Sequence, residues 1–489
     1  MSEEKRRLLS SEFEHYTDSG KEEENGVDIE KEWPEPVMYN AAEASSSWRE
    51  REKAFVENLS FEYNDKISDN STEEGHNVSN NEVPFVIKLL VVFACLVSIL
   101  ISMGFGYSLS VLYAQLIRVF EADRSLVALN QSFFEALLAV GGALWSFPVS
   151  KIGYGYCIII GGVVGSICVA VSSLAVNVPT IIILVGIMSG ASFGIVYMGP
   201  FVVAGDIFDN QKAAVIGFVS IGSSLGQFTM SYFMELCIEA YNWNGALMVI
   251  GAICLNAVPC GMLMVIAQRY SSKDVTNKTS ASAKQSLFKF SLFKEKLFWL
   301  LLLNSVILAF TALAESRFIV DLVELKGFER QVGSFFISMI GVTNLIGGLM
   351  GSVSKVMCKI SSATHMGYWI LVTAVSHGLV VYVDTYAGLL AASLINGLCI
   401  GNIYAHVAVA MYEIYGTEDY APSFATWNVL KGVGNFLGGY FGGYTSETTG
   451  NYDLLFQVSI ILSIFYSISF IGIVIYRKFK AKQNGYIKI

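Results

Sequence analysis

From residue 85 to residue 475 the chain alternates long apolar blocks with short polar breaks. A helix that crosses the bilayer core needs about 20 mainly apolar residues, and each block is about that long. Because backbone polar groups in lipid must bond within their own segment, such blocks form α-helices. The pattern predicts an all-α membrane protein with twelve transmembrane helices, near 85–110, 127–149, 154–175, 179–204, 213–236, 245–267, 297–320, 331–353, 366–383, 387–411, 423–445 and 454–475.

One polar stretch divides this pattern in the middle. Residues 268–296 are rich in lysine and separate six apolar blocks from six. The sequence therefore predicts a six-helix half at 84–267, a basic linker at 268–296 and a second six-helix half at 297–475. An acidic tail at 1–83 and a basic tail at 476–489 flank them. Such a division indicates two halves related as parallel repeats.

Lysine and arginine concentrate on one side of the predicted membrane. The linker carries seven of them against Asp274 and Glu295, and five follow Asp453 at the end of the chain without any acid. Short cytoplasmic segments are enriched in lysine and arginine. We therefore expect the linker and both termini of the chain to lie in the cytoplasm.

The composition changes which function classes are open. Of 489 residues, 53% are hydrophobic and only 15% are charged, whereas soluble domains carry roughly a quarter charged residues. The net charge of −9 comes mainly from the acidic tail and does not indicate nucleic-acid binding. The eight cysteines lack the paired spacing of a metal or disulfide framework. No phosphate-binding motif of an ATP-driven pump is present, and we predict no cofactor.

The acidic tail 1–83 is rich in Glu, Ser and Asn without a sustained apolar period, which is typical of disorder. It begins with Glu4-Lys5-Arg6-Arg7-Leu8-Leu9, which resembles an acidic dileucine sorting signal. Such a signal would bind sorting adaptors through Leu8 and Leu9 and direct the protein to endosomal or lysosomal membranes. If the match is a chance one, the plasma membrane is the alternative. No motif identifies an accessory membrane protein.

Three segments together resemble one known family. IFDNQKA at 207–213 looks like a Y-F-x-K-R-R-x-L-A-x-G motif that opens helix five, and YNWNGAL at 241–247 is similar to a G-W-R-G-A-L motif before helix six. The helix-four stretch 189–200 supplies the third match. These motifs belong to the monocarboxylate transporter family of the major facilitator superfamily. The resemblance runs over about 85–475 and implies two six-helix halves that transport a small solute across the lipid bilayer.

The chain departs from this family at positions that carry its chemistry. Many members have a lysine in helix one, where this chain has Tyr107. Proton-coupled members have an aspartate and an arginine one helical turn apart in helix eight, where this chain has Asn344 and Gly348. Asn and Gly cannot exchange a proton with a docked carboxylate. The resemblance therefore implies solute transport without fixing the substrate or the coupling ion.

Two ionisable residues are predicted near the middle of the membrane, where a charge costs at least about 2.5–3.5 kcal/mol. Glu135 and Lys431 each lie about eight residues into helices two and eleven, roughly 12 Å deep. In the fold that the resemblance implies, helices two and eleven face each other. We therefore predict a Glu135–Lys431 ion pair, which would serve as a gate, a substrate or proton site, or a structural brace.

Two further charges lie late in helix seven. Glu315 and Arg317 are two residues apart and point about 200° away from each other on a regular helix, so they line one cavity only if the helix breaks. Arg317 is predicted either to bind an anion, with Glu315 as its partner or coupling group, or to snorkel to the interface beside Asp321. His377 in helix nine is predicted to be a hydrogen-bonded structural histidine.

We expect a secondary-active or facilitative transporter of a small organic solute, a carboxylate or amino-acid-like anion, that works by alternating access. Three alternatives stay open: a facilitator of an uncharged solute, a transporter-like receptor or scaffold that moves nothing, and a membrane-embedded enzyme. An enzyme is the least expected of these, because it would need His, Asp or Ser side chains clustered at one depth, and the five histidines are scattered. The candidate substrate or coupling residues are Lys431, Glu135, Arg317, Glu315, Tyr107 and Asn344.

Overall fold

The computed structural model describes residues 84–208, 212–271, 291–357 and 360–483. The predicted acidic tail, with Leu8 and Leu9, lies outside the described residues, as does most of the predicted linker. All the transmembrane helices given below fall within the described ranges and belong to one compact unit.

Six helices form the first half. They are α1 (Phe85–Phe120), α2 (Arg124–Leu144), α3 (Tyr154–Val171), α4 (Val178–Ile207), and the pair α5 and α6, which share the run Lys212–Cys254 and continue as Ala257–Ser271. Asn242 has a φ of 58° and breaks the shared run, so α5 covers 212–241 and α6 covers 243–271. A short helix, Ser146–Ile152, connects α2 to α3.

Six helices form the second half. They are α7a (Lys296–Ala312) and α7b (Ala314–Leu325), which together make one interrupted helix, α8 (Arg330–Met357), α9 (Ser362–Tyr382), the pair α10 and α11 in the run Tyr386–Thr449, and α12 (Asp453–Gln483). Gly416 breaks that run with a φ of 69°, in the left-handed region that glycine adopts without strain. Thus α10 covers 386–415 and α11 covers 417–449.

Hydropathy and helix breaks together account for twelve crossing segments. Within the described residues nine helical stretches are long and apolar enough to cross a bilayer, and one of them, Val215–Arg269, contains both α5 and α6. The other two segments are α9 and α11, whose Ser, Thr, Gly, Tyr and Lys side chains lower their hydropathy. The predicted all-α fold of two six-helix halves is confirmed. The last helix extends beyond the predicted boundary at 475, to Gln483.

Glycines allow the helices of the first half to pack at backbone distance. A Cβ added at Gly104 on α1 would stand 2.8 Å from the Cα of Gly226 on α5. Gly141 on α2 and Gly194 on α4 face each other in the same way, and a Cβ on either would overlap the other's backbone. In lipid, where water does not drive helices together, such close van der Waals contact is a main source of packing energy.

Glycines also line the interface between the two halves. A Cβ on Gly432 of α11 would lie 2.9 Å from the carbonyl oxygen of Ala136 on α2, and one on Gly443 would lie 2.6 Å from Ala128. A Cβ on Gly341 of α8 would lie 2.6 Å from the backbone nitrogen of Phe228 on α5. Two pairs of helices, α2 with α11 and α5 with α8, therefore bring the halves into direct contact and bound the centre of the protein.

Candidate functional site

A buried ion pair joins the two halves near the centre of the protein. Arg317 on α7b donates from Nε and Nη2 to the same oxygen of Glu135 on α2, at 2.7 Å and 2.5 Å. Its Nη2 also donates to Asn435 on α11 at 2.9 Å, and Gln131 donates to the other Glu135 oxygen at 3.2 Å. Arg317 is 1% exposed and Glu135 is 7% exposed. Three helices from both halves thus meet at one charged contact.

Lys431 does not form the ion pair predicted for it. Its ammonium lies 4.7 Å from the ring centroid of Tyr404 on α10, a cation–π distance, whereas the Glu135 carboxylate is bound by Arg317. Lys431 is still near enough to Glu135 and Arg317 to interact with them electrostatically. The predicted Glu135–Lys431 pair is wrong because the guanidinium of Arg317 occupies the Glu135 carboxylate, a partner that the apolar pattern does not indicate.

Arg317 lies deeper than its position in the apolar pattern indicates. The helix α7b continues to Leu325, which puts Arg317 about 12 Å from that end. The guanidinium therefore does not snorkel to the interface, and the predicted interfacial position is wrong. Burial leaves its Nη1 atom with no hydrogen-bond partner among the described residues. The hydroxyl of Tyr404 is likewise buried without a partner in the described part of the chain.

Glu315 faces away from Arg317 into the second half. Its carboxyl oxygens form hydrogen bonds with the hydroxyl groups of Ser393 on α10 and Ser376 on α9, each at 2.9 Å. The break at Leu313 between α7a and α7b does not bring the two charges to one side. The predicted opposite directions of Glu315 and Arg317 are confirmed, and Glu315 is not the ion-pair partner of Arg317.

Two other predicted site residues lie on the same interface. The side chain of Asn344 on α8 donates to Gln227 on α5 at 3.2 Å, and Gln227 in turn donates to Ser316 on α7b at 3.3 Å. Tyr107 on α1 is 5% exposed and lies near enough to Tyr404 to interact with it electrostatically. Their side chains therefore border the charged contact, and their roles remain predictions.

His377 is buried without a hydrogen bond in the described part of the chain. His377 is fully buried, its ring packs 5.2 Å from that of Phe456, and neither ring nitrogen has a hydrogen-bond partner among the described residues. The predicted hydrogen-bonded histidine is therefore wrong. In the described ranges no group of three or more His, Cys, Asp or Glu side chains is arranged to hold a metal ion.

A second polar network joins the halves at the predicted outer end. Arg124 at the start of α2 donates to Asp321 on α7b at 2.9 Å. The hydroxyl of Tyr452 donates to the same carboxylate at 2.7 Å and lies 3.1 Å from the hydroxyl of Tyr113 on α1. Asp321 is 3% exposed, so this contact is a closed one.

Helices α5 and α8 close the rest of that end. Arg330 on α8 pairs with Glu235 on α5 at 2.7 Å and also donates to Gln115 on α1. Ser334 donates to the second oxygen of Glu235 at 2.9 Å. A cavity of about 380 Å³ lies beside these bonds, lined by Arg118, Glu235, Glu239, Glu329, Arg330 and Gln331. None of its lining residues belongs to the central contact, so it lies apart from that contact, at the predicted outer end.

Comparison with known proteins places this architecture. The family model described as Major Facilitator Superfamily matches residues 94–364, more than half of the chain. The chain belongs to the major facilitator superfamily. It is a multi-pass membrane transporter of this superfamily, and the small solute and lipid bilayer expected as its partners follow from that membership.

Several relatives of this chain within the superfamily are named monocarboxylate transporters. Monocarboxylate transporter 4 of Gallus gallus is 22% identical over 379 residues, which cover 76% of this chain and 79% of that protein. Monocarboxylate transporter 12-B of Danio rerio is 23% identical over 433 residues, covering 82% and 90%. The resemblance to monocarboxylate transporters is therefore confirmed, and the proteins that it matches are transporters rather than enzymes.

Solved structures of the superfamily share the fold. A D-xylose-proton symporter matches with a TM-score of 0.62 at 14% identity, covering 79% of this chain and 97% of that one. The nucleoside transporter NupG matches with a TM-score of 0.60 at 15% identity, covering 79% and 98%. At these identities the likeness concerns the arrangement of the helices alone.

Sequence reasoning missed the neutral members of this transporter's central contact. Gln131, Gln227 and Asn435 are each at most 4% exposed and bond to a predicted site residue or to its neighbour. A polar amide inside an apolar helix is a signal in itself, because it needs a partner in lipid. Gln131 and Asn435 could have been found in the sequence as the amides that lie at the same depth as Glu135 and Arg317.

Proposed function

We propose that this superfamily member transports a small organic anion, a carboxylate or an amino-acid-like solute, by alternating access. The observation that carries the proposal is the charge balance of the central contact. Two cations, Arg317 and Lys431, lie near one carboxylate, Glu135. The contact therefore holds one positive charge more than its own acid neutralises, and a bound anion would neutralise the remainder.

The unpartnered atoms agree with an anionic solute. A buried donor without a hydrogen-bond partner costs about 1–3 kcal/mol, so a solute that supplies an acceptor gains that free energy. Arg317 Nη1 is such a donor, and Lys431 makes a ring contact with Tyr404 instead of an ion pair in the described residues. A carboxylate that accepts from both cations would satisfy them together.

The surroundings of the cations favour two alternating states. Tyr107 and Tyr404 place aromatic rings beside the cations. The closed outer end, with Arg124 on Asp321 and Arg330 on Glu235, corresponds to one of the two states that alternating access requires. Since each partner of these pairs comes from a different half, rocking of the halves would open this end.

The names of the relatives support a carboxylate, and helix eight argues against their coupling motif. Asn344 donates a hydrogen bond to Gln227, and Gly348 has no side chain, so α8 offers neither an acid nor a base at these two positions. If transport is coupled to protons, another group must carry them. The uptake experiment therefore includes a pH gradient, which tests whether protons are coupled to transport.

Uptake by purified protein in liposomes tests the proposal. Labelled carboxylates and amino acids would be screened with and without a pH gradient, in the wild type and in Lys431→Gln. We expect uptake of at least one carboxylate and a loss of about tenfold or more in the variant, which corresponds to about 1.4 kcal/mol of binding. Lys151→Gln is the matched control, because Lys151 also lies over a ring, that of Phe147 at 5.8 Å, but on the surface.

Other outcomes would contradict the proposal in different ways. If Lys431→Gln transports as well as the wild type, the charges only brace the halves and the solute is uncharged. If the wild type moves none of the tested solutes, a receptor or scaffold explains the chain better.

A further inference from the structure

A second buried carboxyl group lies outside the central contact. Glu315 is fully buried at the start of α7b and is enclosed by α9 and α10 of its own half. Ser393 donates to one of its oxygens and Ser376 lies 2.9 Å from the other. This group is separate from the anion site proposed at Arg317 and Lys431.

The hydroxyl of Ser376 has two acceptors and one hydrogen. Its Oγ lies 2.9 Å from Glu315 Oε2 and also 2.9 Å from the carbonyl oxygen of Ala392 on α10. A serine donates one hydrogen bond and accepts others. If Glu315 were ionised, the single hydrogen of Ser376 would have to be shared between the two acceptors, and neither contact would be a full hydrogen bond. If Glu315 carries a proton, it donates to Ser376, Ser376 donates to Ala392, and both contacts are hydrogen bonds.

The charges around Glu315 lead to the same protonation state. Among the described residues Glu315 makes no ion pair, and the nearby Arg317 points to Glu135. The titratable side chains on the adjacent turns of α9 and α10 are His377, whose ring packs on Phe456, and Cys399. Neither supplies a positive charge to the carboxyl group. An isolated buried carboxylate is far more costly than a neutral carboxylic acid with its hydrogen bonds made.

We propose that Glu315, Ser376 and Ser393 form a proton-binding site in the second half of the transporter. Its ligand is a single proton, held as the O–H of the Glu315 carboxyl group. The proton is exchanged with water when the serines move away from the carboxyl group. The site goes beyond the proposed anion transport, since it stands whether or not the solute is an anion.

The position of the site links its proton to movement of the halves. Glu315 attaches α7b to α9 and α10, while the next two residues attach it to the first half, Ser316 through Gln227 and Arg317 through Glu135. The helix is interrupted just before, at Leu313. When the halves rock, α7b cannot keep both sets of bonds, and a shift of α7b towards the first half would open the contacts of Glu315 with the serines.

Infrared spectroscopy of the full-length protein in liposomes tests the site without any solute. A protonated carboxyl group has a carbonyl band that shifts in D2O, and we expect the wild type to show one at neutral pH that Glu315→Gln removes. Glu324→Gln is the matched control, because Glu324 forms an ion pair with Arg118 at the predicted outer end, and we expect that variant to keep the band.

A second variant protects the test against misfolding of the first. Ser393→Ala removes the hydrogen bond to the carbonyl oxygen of Glu315, and we expect the band to persist at a higher frequency. Identical spectra of the wild type and Glu315→Gln would overturn the proposal, since Glu315 would then be a carboxylate. A band lost when KCl is replaced by NaCl would also overturn it, because the ligand would be a sodium ion. The proposed anion transport fails separately, by absence of uptake.

Discussion

The Nη1 atom of Arg317 lies 2.8 Å from the place where a Cβ on Gly438 would stand. The guanidinium thus fills the space that the missing side chain leaves on α11. The same Cβ would lie 3.0 Å from the backbone of Phe310 on α7a, which can move aside only if the helix shifts, whereas the guanidinium can be displaced as a side chain. Gly438 therefore determines where the charged contact between Arg317 and Glu135 can form.

Gly438→Ala should displace Arg317 and reduce uptake by about tenfold or more. Overpacking of this kind costs about 1–3 kcal/mol of stability, and the displaced guanidinium loses its aligned bonds to Glu135. Uptake and the thermal unfolding midpoint in detergent would both be measured. Gly378→Ala on α9 is the control, since nothing lies within 4 Å of its added Cβ. An unaltered rate in Gly438→Ala would contradict the role of this glycine.

Glu135 and Arg317 should show strong coupling in a double-mutant cycle. Glu135→Gln or Arg317→Gln alone leaves a buried charge without its partner, which costs about 3–5 kcal/mol. The double variant should lose much less than the sum, because it leaves neither charge. Unfolding free energies in detergent measure the cycle. The pair Arg118–Glu324, in which the Arg118 side chain is 54% exposed, is the control, and about 1 kcal/mol or less is expected for it. Additive losses at the buried pair would contradict the prediction.

Asp321→Asn should loosen the outer end. The variant weakens the bonds from Arg124 and Tyr452 that join the two halves there. Spin labels at Asp123 and Glu329, both exposed, would report the separation of the halves, and we expect longer distances to become populated. Asp384→Asn is the matched control, because its partner Lys326 belongs to the same half. No change relative to that control would argue against an outer gate.

Epitope tags test the predicted orientation. Tags at the two ends of the chain should be reached by antibody only after the plasma membrane is permeabilised, because the lysine-rich linker and termini are expected in the cytoplasm. A tag at Asp384, in the exposed loop between α9 and α10, should be reached in intact cells. Detection of the two ends on opposite sides would refute the twelve-helix topology.

The fold could be predicted from the apolar pattern, whereas several helix ends could not. Hydropathy assigns charged residues to loops, so Asp321 and Glu324 appear to lie beyond helix seven. In the structure they are inside α7b, because Arg124 and Arg118 of the first half compensate them. The pattern along one chain does not show a compensating charge 197 residues away.

The central residues could be predicted by type but not by partner. Glu135, Lys431 and Arg317 stand out because ionisable side chains are rare in lipid. Which of the two cations meets Glu135 depends on depth and on the rotation of α7b and α11 about their axes. Both follow from close contacts such as that of Gly438 with Arg317, which have no counterpart in the apolar pattern.

The seal at the outer end consists of groups that water can also satisfy. When Asp321 and Arg124 separate, each is hydrated by solvent, so a hydrogen bond to a charged group lost there costs only about 1.5–3 kcal/mol net. If apolar side chains closed this end, opening it would cost about 25 cal/mol for every Å² of apolar surface exposed to water. A closed end held by polar groups can therefore exclude solute and still open within the microseconds to milliseconds typical of domain motion.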